Sequence, residues 1–334
     1  MKTWLAAWIG TMVFSVCAFP AFAEETSKTT TKLQVDAALH QYKSVAGVSG
    51  AIKSIGSDTM NNLMTKWAEG FKTHYPGVTY AIEGKGSGTA MPALIAGQAG
   101  FGPTSRPCKK DEIAAFEKAF GYKPVTVPTS LDMLAVFVHK DNPIKGLTLP
   151  QLDAMFSATR KLEAKDDITL WGQVGLTGAW AAGPISLYGR NAASGTYGFF
   201  KEHALGNGDF KDSVKVQPGS SGVVQSIGGE KFAIGYSGLG YATADVRAVP
   251  LAAKAGGEFI PAESKHAYDR SYPLTRGLLL TVNKHPTEEL DPLRKEFLKY
   301  IFSQEGQRDV IADGYLPLPA PAAKKAMEML GITP

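Results

Sequence analysis

The feature that most restricts the fold of this sequence is a turn of small polar residues that recurs four times. Each copy is rich in Ser, Thr and Gly, follows a run typical of a strand, and precedes apolar residues at helical spacing. The turns are Gly56-Ser57-Asp58-Thr59, Gly86-Ser87-Gly88-Thr89, Thr104-Ser105-Arg106 and Ser194-Gly195-Thr196. Repeated strand, turn and helix units predict an α/β protein with a largely parallel sheet, where such turns gather at the carboxyl ends of the strands.

Two long apolar strands, residues 131–138 and 277–282, predict how the chain is divided. They match in length and in the polar residues that follow them. We interpret them as two crossings between two lobes, each a mixed, mostly parallel sheet flanked by helices, with hinge bending where the strands end. The predicted first lobe is residues 47–137 with 278–334, the second is 138–277, and the hinges are Val138-His139 and Val282-Asn283.

The N-terminus resembles an export signal. Residues 1–23 carry Lys2, then an apolar stretch without charge, then the small-residue cleavage site Ala21-Phe22-Ala23. We expect a cleaved signal peptide and a periplasmic location, with release outside the cell left open; an uncleaved membrane anchor is the alternative. Residues 24–46, rich in Thr, Ser and Lys, are predicted to be a flexible or loosely docked lead-in.

Composition is that of an ordinary soluble protein, with 20% charged and 44% hydrophobic residues in 334. Removal of residues 1–23 takes away Lys2 and no acidic residue, which lowers the formal net charge from +4 to +3. This charge is too small to favour nucleic acid as a partner. Cys108 is then the single remaining cysteine, so no intramolecular disulfide can form.

The turns have the chemistry of an anion site. The first N–H groups of a helix lack intrahelical partners, and the helix dipole adds a partial positive charge there. Arg190 ends a predicted strand four residues before Ser194, and Arg106 lies in the third turn. One such turn alone is usually a helix cap, with its arginine a surface charge. Four turns with two arginines instead predict one site for a tetrahedral oxyanion.

Other functional motifs do not fit. The lysine of Gly84-Lys85-Gly86 is followed by glycine, so it is not a Walker A loop, and Thr89 stands where a dinucleotide-binding fingerprint needs glycine. The sequence has no G-x-S-x-G and no H-E-x-x-H motif, and its six histidines lack ligand spacing. We therefore predict no metal, no cofactor and no catalytic residue.

These turns resemble those of the periplasmic phosphate-binding proteins that feed phosphate ABC transporters, which have the type 2 periplasmic-binding fold. The resemblance spans about residues 48–320 and includes the Arg-x-x-x-Ser-Gly-Thr spacing from Arg190, Ile234-Gly235-Tyr236, and Tyr272 to Arg276 before the return strand. It implies a monomeric, non-catalytic receptor whose ligand is inorganic phosphate and whose partner is a membrane permease.

The resemblance also implies the phosphate ligands, with one departure. Many members have an aspartate in the third turn, which accepts a hydrogen bond from protonated phosphate; Ser105-Arg106 stands there in this sequence. Asp58, the one acidic residue inside the four turns, is the candidate acceptor, and helix capping is its alternative role. Glu83 and the Ser105 hydroxyl are the other groups that could contact the proton of the ligand. The predicted ligands are Ser57, Asp58, Thr59, Ser87, Ser105, Arg106, Arg190, Ser194, Gly195 and Thr196.

Three alternative functions remain open at this stage. Without the family aspartate, the site could bind sulfate or another tetrahedral oxyanion. A phosphomonoesterase could use Ser87 or Ser194 as nucleophile, but the sequence offers no base or metal near the turns. An exported surface or matrix protein could carry the same fold, with residues 24–46 as its attachment segment.

Overall fold

The computed structural model describes residues 33–333. The predicted signal peptide, residues 1–23, and residues 24–32 of the predicted lead-in lie outside the described residues. Within residues 33–333, eleven strands and ten α-helices alternate along the chain. The α/β class predicted from the recurring turns is confirmed.

The strands are β1 (Ala51–Ile55), β2 (Thr79–Glu83), β3 (Gly102–Thr104), β4 (Val125–His139), β5 (Leu147–Thr148), β6 (Ser186–Arg190), β7 (Lys215–Gln217), β8 (Ala233–Gly238), β9 (Val246–Ala248), β10 (Leu251–Ala252) and β11 (Thr275–Val282). The α-helices are α1 (Asn61–His74), α2 (Ala90–Ile95), α3 (Lys110–Phe120), α4 (Leu149–Phe156), α5 (Gly195–Ala204), α6 (Ser220–Gly229), α7 (Ser264–Tyr268), α8 (Pro292–Ile301), α9 (Gln304–Ala312) and α10 (Ala320–Met329).

The main sheet is mixed and has seven strands in the order β3-β11-β4-β8-β6-β7, with β9 also paired to β4. Every antiparallel pair in the described residues includes β4 or β11, whereas β1–β2, β5–β10, β6–β7 and β6–β8 are parallel. A bridge between Ser54 and Phe101 brings β1 beside the entry to β3. Parallel units therefore lie on both sides of a central antiparallel pair, β4 and β11.

Two hydrophobic cores define two lobes. The first lobe packs around Trp67, Phe71 and Phe297, and the second around Phe156 and Phe200. In both, helices cover a sheet whose apolar side chains are withdrawn from water, and this burial is the main stabilising contribution to each lobe.

The two hydrophobic cores divide inside β4, whereas the predicted hinge Val138-His139 lies at the end of this strand. Val127 belongs to the first core and Met133 to the second, while Leu274 packs in the second core and Leu278 in the first. Val138 is fully buried within the second core. The prediction followed the apolar run, whereas β4 begins earlier, at Val125, and pairs with β11 across a register shift near Leu278.

Residues 33–46 belong to the lead-in predicted to be flexible or loosely docked; most of their apolar contacts are with the first lobe, and Leu33 packs against the second core. Leu39 and Tyr42 are 5% and 6% exposed, and both belong to the first core. The Tyr42 hydroxyl lies 2.8 Å from that of Tyr75 and donates to Glu296 at 3.1 Å. Two apolar residues and a few long-range hydrogen bonds thus hold a segment of polar composition against the lobe.

None of the helices in residues 33–333 has the length and apolar character needed to cross a bilayer.

Two carboxyls lie at the C-terminal end of α9, Asp309 within the helix and Asp313 directly after it. Ionisation of either carboxyl opposes folding. Burial, the larger cause, raises the pKa of Asp313 to about 6, and the charge of Asp309 raises it further. Burial also raises the pKa of Asp309 to about 6. A carboxyl whose pKa is higher in the folded state than in the unfolded state favours folding while it is protonated. This contribution to stability is complete below the unfolded-state pKa and is lost as the pH rises through the folded-state pKa.

We expect the substitution Asp313→Asn to raise the melting temperature at about pH 7.5 and to leave it unchanged near pH 4, because the amide cannot ionise. Thermal unfolding followed by circular dichroism at both pH values measures this. Asp212→Asn, which neutralises an exposed aspartate, is the control. An Asp313→Asn protein that gains the same stability at both pH values would contradict the assignment.

Candidate anion-binding site

The first predicted turn connects β1 to α1 and lies against the third. The backbone N–H of Ser57 donates to the carbonyl of Pro103 at 2.8 Å, and a side chain on Gly56 would collide with Pro103. After Ser57, Asp58–Met60 form a single 3₁₀ turn that leads into α1. Ser57 is 1% exposed, and its Oγ has no hydrogen-bond partner among the described residues. A buried hydroxyl in this position is available to a ligand.

The second and third turns are joined by their serines. Gly86 has φ +106°, a conformation that favours glycine, and a 3₁₀ turn then begins at Ser87. The Oγ of Ser87 accepts the backbone N–H of Ser105 at 3.0 Å and lies 3.4 Å from the Ser105 hydroxyl. Both side chains are buried. The three turns of the first lobe thus form one continuous polar surface.

The fourth turn belongs to the second lobe and begins α5. Ser194 is the N-cap of this helix, and its Oγ accepts N–H donors from Thr196 at 3.2 Å and Tyr197 at 3.4 Å. The capping role considered for Ser194 is therefore observed. It is compatible with ligand binding, because a hydroxyl that accepts two N–H groups still has its own proton to donate.

The two sets of turns meet directly. The N–H of Gly88 donates to the carbonyl of Ala193 at 3.0 Å, and the hydroxyls of Thr59 and Thr196 lie 2.8 Å apart. A Cβ on Gly195 would lie 2.5 Å from the Ser105 Oγ and closer still to that of Ser87. The structure therefore brings together the Ser, Thr and Gly residues predicted for the site, with the lobes in contact.

Arg190, at the end of β6, is 2% exposed and faces the first turn. Its guanidinium lies 3.2 Å from an Asp58 carboxylate oxygen and donates to the Ser220 hydroxyl at 2.8 Å. The Nε of Arg190 is buried without a partner among the described residues. Burial lowers the pKa of Arg190, and the Asp58 charge partly offsets this effect. Arg190 is therefore a desolvated cation whose Nε–H has no partner among the described residues.

Arg106 is placed differently from the prediction. Its guanidinium donates to both carboxylate oxygens of Glu112, at 2.9 and 2.6 Å, and to the carbonyl of Pro107 at 2.8 Å. Hydrogen bonding to Glu112 is the main reason that the pKa of Arg106 is raised. Because Glu112 and Pro107 engage its Nη1 and Nη2, we do not propose Arg106 as a direct anion ligand.

Arg276 and Asp132 form an ion pair beside the third and fourth turns. Asp132 was not predicted near the site, and Arg276 was predicted without a role. Arg276 donates through Nε and Nη2 to one oxygen of Asp132, at 2.9 and 2.7 Å. Its Nη1 donates to the Ser105 carbonyl and to the Thr196 hydroxyl, each at 3.2 Å. A single charge inside the apolar run 131–138 was the available signal for Asp132. Arg276 was visible only as part of the family-like segment before the return strand.

A fifth turn was also missed. The segment Pro218-Gly219-Ser220 precedes α6, and the Ser220 backbone N–H donates to Asp58 at 2.8 Å. Tyr241 lies on the same side, with its hydroxyl 3.1 Å from the Asp58 carbonyl. Pro-Gly-Ser-Ser-Gly before a helix was a readable signal, because it repeats the small polar composition of the other turns.

The arrangement is suited to a compact anion and poorly suited to other ligands. It presents hydroxyls, helix N-terminal N–H groups and two buried guanidiniums, and each guanidinium is balanced by a carboxylate. Among residues 33–333, no three His, Cys, Asp or Glu side chains are grouped to hold a metal ion. A neighbouring cavity of about 550 Å³ lies between the third turn and α5 and is lined by Arg106, Lys109, Lys110, Ser194 and Lys201, among others.

We expect Gly195→Ala to destabilise the protein, because a methyl group would overlap the Ser87 and Ser105 hydroxyls across the lobe contact. Helix propensity alone predicts a gain of about 1 kcal/mol. Gly198→Ala in the same helix is the matched control, since its Cβ would lie 3.4 Å from the Arg106 side chain, an ordinary contact. Thermal melting compares the two. Equal melting temperatures would contradict the close approach at Gly195.

Comparison with known proteins identifies the family. The model of the PBP superfamily domain matches residues 41–305. The phosphate-binding protein PstS of Pseudomonas aeruginosa is 53% identical over 298 residues, which cover 89% of this chain and 92% of that protein. PstS of Staphylococcus haemolyticus is 28% identical over 85% of this chain and 86% of its own length.

Solved structures agree with these relatives. A candidate phosphate ABC transporter substrate-binding protein from Clostridium perfringens, solved with bound phosphate, has a TM-score of 0.66 and 28% identity, over 80% of this chain and 99% of that one. An ABC-type phosphate transport receptor from Vibrio cholerae shares the fold, with a TM-score of 0.60 and 24% identity over 80% and 100%. The two-lobed periplasmic-binding-protein fold is thereby confirmed. With its recurring turns, its two lobes and these similarities, the chain belongs to the PBP superfamily and, within it, to the PstS phosphate-binding proteins.

Proposed function

We propose that this protein is an exported receptor that captures inorganic phosphate between its lobes and delivers it to an ABC permease. Family membership supports the transport role, and the Clostridium perfringens relative was solved with phosphate bound. The PstS relatives are named as phosphate-binding proteins.

The observation that carries the proposal is the convergence of buried donors from both lobes. Ser57 Oγ and Arg190 Nε are buried and lack partners among the described residues. Helix and 3₁₀ turns begin beside them at Asp58, Ser87, Gly195 and Ser220. Such a set of N–H and O–H groups would surround a tetrahedral oxyanion without further cations. The ligands we propose are Ser57, Asp58, Thr59, Ser87, Ser105, Arg190, Ser194, Gly195, Thr196 and, newly, Ser220.

The lobes would open and close by bending where the chain changes core. We place these bends at residues 128–132 of β4 and 275–277 of β11, between the last residue of one core and the first of the other. The first lobe would then be residues 47–130 with 276–333, joined by the docked segment 33–46. Bending at a few residues between two packed lobes is a usual means of closure in two-lobed receptors.

Asp58 is our candidate for the group that distinguishes phosphate from sulfate. Near neutral pH phosphate carries a proton and sulfate does not, so a carboxylate can accept a hydrogen bond from phosphate alone. Asp58 lies in the first turn, next to Arg190 and to the N–H of Ser220. Glu83, the other acidic residue near a turn, pairs with Lys85 and is 44% exposed, which makes it a poor candidate.

A catalytic role fits the site less well than a receptor role. Ser87 Oγ accepts from a backbone N–H, and Ser194 Oγ accepts the N–H groups that it caps. Nucleophilic serine needs an adjacent base, whereas the carboxylates of Asp58 and Asp132 are paired with arginines. We therefore propose a non-enzymatic, monomeric protein, located in the periplasm after removal of residues 1–23.

Calorimetric titration of the phosphate-stripped mature protein with phosphate, and separately with sulfate, tests this function. We expect one-to-one binding of phosphate and no heat with sulfate. Equal binding of both ions would keep the fold but replace phosphate with a general oxyanion as the ligand. Binding of neither ion would overturn the receptor proposal and favour the surface-protein alternative.

We expect Asp58→Asn to weaken phosphate binding and to narrow the preference over sulfate by at least about 10-fold, because the amide removes an acceptor-only group. Competitive titration with both ions measures the ratio. Glu83→Gln is the matched control, since it neutralises an exposed carboxylate outside the cleft. An unchanged ratio in Asp58→Asn would remove Asp58 from selectivity.

A further inference from the structure

A buried ion pair occupies the point where the chain changes lobe. Arg276 of β11 and Asp132 of β4 are directly opposite each other in the strand register, and they are 4% and 1% exposed. Their contact is bidentate at Nε and Nη2, while the second oxygen of Asp132 accepts the N–H of Leu239 at 3.3 Å. Burial of two charges is costly, and apolar residues of similar size would often stabilise a fold as well. Stability alone therefore does not explain why an ion pair is buried at this position.

The third nitrogen of Arg276 contacts both lobes at once. Nη1 donates to the carbonyl of Ser105, in the third turn of the first lobe, at 3.2 Å. It also donates to Thr196 Oγ1, at the start of α5 in the second lobe, at 3.2 Å. Asp132 fixes the other two nitrogens, so the direction of Nη1 is determined by the crossing strands themselves. One side chain thus links the hinge to both halves of the anion site.

The contact with Thr196 also restricts the hydrogen bonds that the neighbouring pair of threonine hydroxyls can form. Thr196 Oγ1 lies 2.8 Å from Thr59 Oγ1. An arginine can only donate, so Arg276 occupies a lone pair of the Thr196 hydroxyl. The two threonines have two hydroxyl protons, and one of these forms the bond between them. The other is left to point away from the pair, toward an acceptor.

We propose that Arg276 is a positioning residue for the anion: it holds the third turn and the start of α5 in register, and through Thr196 it directs one threonine proton to the ligand. This inference rests on the proposed phosphate function. Asp132 has the supporting role of orienting the guanidinium.

The test is a double-mutant cycle on phosphate affinity with four full-length mature proteins: wild type, Arg276→Lys, Thr196→Val and the double variant. Lysine keeps the charge beside Asp132 but lacks the planar fork that reaches three acceptors. We expect each single variant to weaken phosphate binding by at least about 10-fold. If Arg276 acts through Thr196, the two effects overlap. The phosphate affinity of the double variant should then be at most about threefold lower than that of whichever single variant binds phosphate less tightly.

Arg247→Lys is the matched control. Arg247 lies in β9 of the second lobe, and its guanidinium donates to the carbonyls of Asn142 and Ile144, away from the cleft. We expect its phosphate affinity to stay within about twofold of wild type, as for sites that share no partners with the ligand. Wild-type phosphate affinity in Arg276→Lys would overturn the inference. So would a double variant whose fold-loss of affinity equals the product of the two single losses.

Folding is checked by thermal melting of each variant without phosphate. If Arg276→Lys does not fold, Arg276→Met combined with Asp132→Leu replaces the pair by apolar residues of similar volume. That protein should fold and bind phosphate at least about 10-fold more weakly than wild type; wild-type affinity would again overturn the inference. Absence of phosphate binding in the wild type would instead end the proposed function, so the two failures are distinguishable.

Discussion

The antiparallel pairing of β4 with β11 is the constraint on which the rest of the structure depends. β4 contributes side chains to both cores, and β11 continues directly from Leu274 in the second core to Leu278 in the first. Their register therefore sets the position of one lobe against the other. The turns that approach each other, at Gly88 and Ala193 for example, do so because each lobe is attached to the same two strands.

The parts of the site that could be predicted from sequence are those encoded locally. A Ser/Gly turn between a strand and a helix contains its own information, so Ser57, Ser87 and Ser194 were found from composition and spacing. Arg106 was predicted as an anion ligand, but its observed partner is decided by packing, with Glu112 six residues later in the first turn of α3. Arg276 was recognised only as the end of the family-like segment before β11. No role could be predicted for it, because its contacts connect residues far apart in the chain.

The charges in the site are nearly balanced before any ligand is considered. Arg190 faces Asp58, and Arg276 faces Asp132, so the two buried cations carry no excess positive charge together. Attraction for an anion must then come from oriented N–H and O–H groups, whose fields act over short distances in a site with little water. Shape and the number of donors become more important than net charge, which agrees with the mild charge of the whole chain.

The docking of the N-terminal segment has a consequence for biosynthesis. Tyr42 and Leu39 complete a core that also contains Phe297 of α8 and Met327 of α10, so the two ends of the described chain are packed together. The first lobe cannot bury this core until its last helices have been synthesised, whereas most of the second core comes from one continuous stretch, residues 133–274, to which Leu316 is added from the C-terminal part of the chain. Folding order is thus imposed by topology: the second lobe can form during synthesis, and the first must wait for the C-terminus.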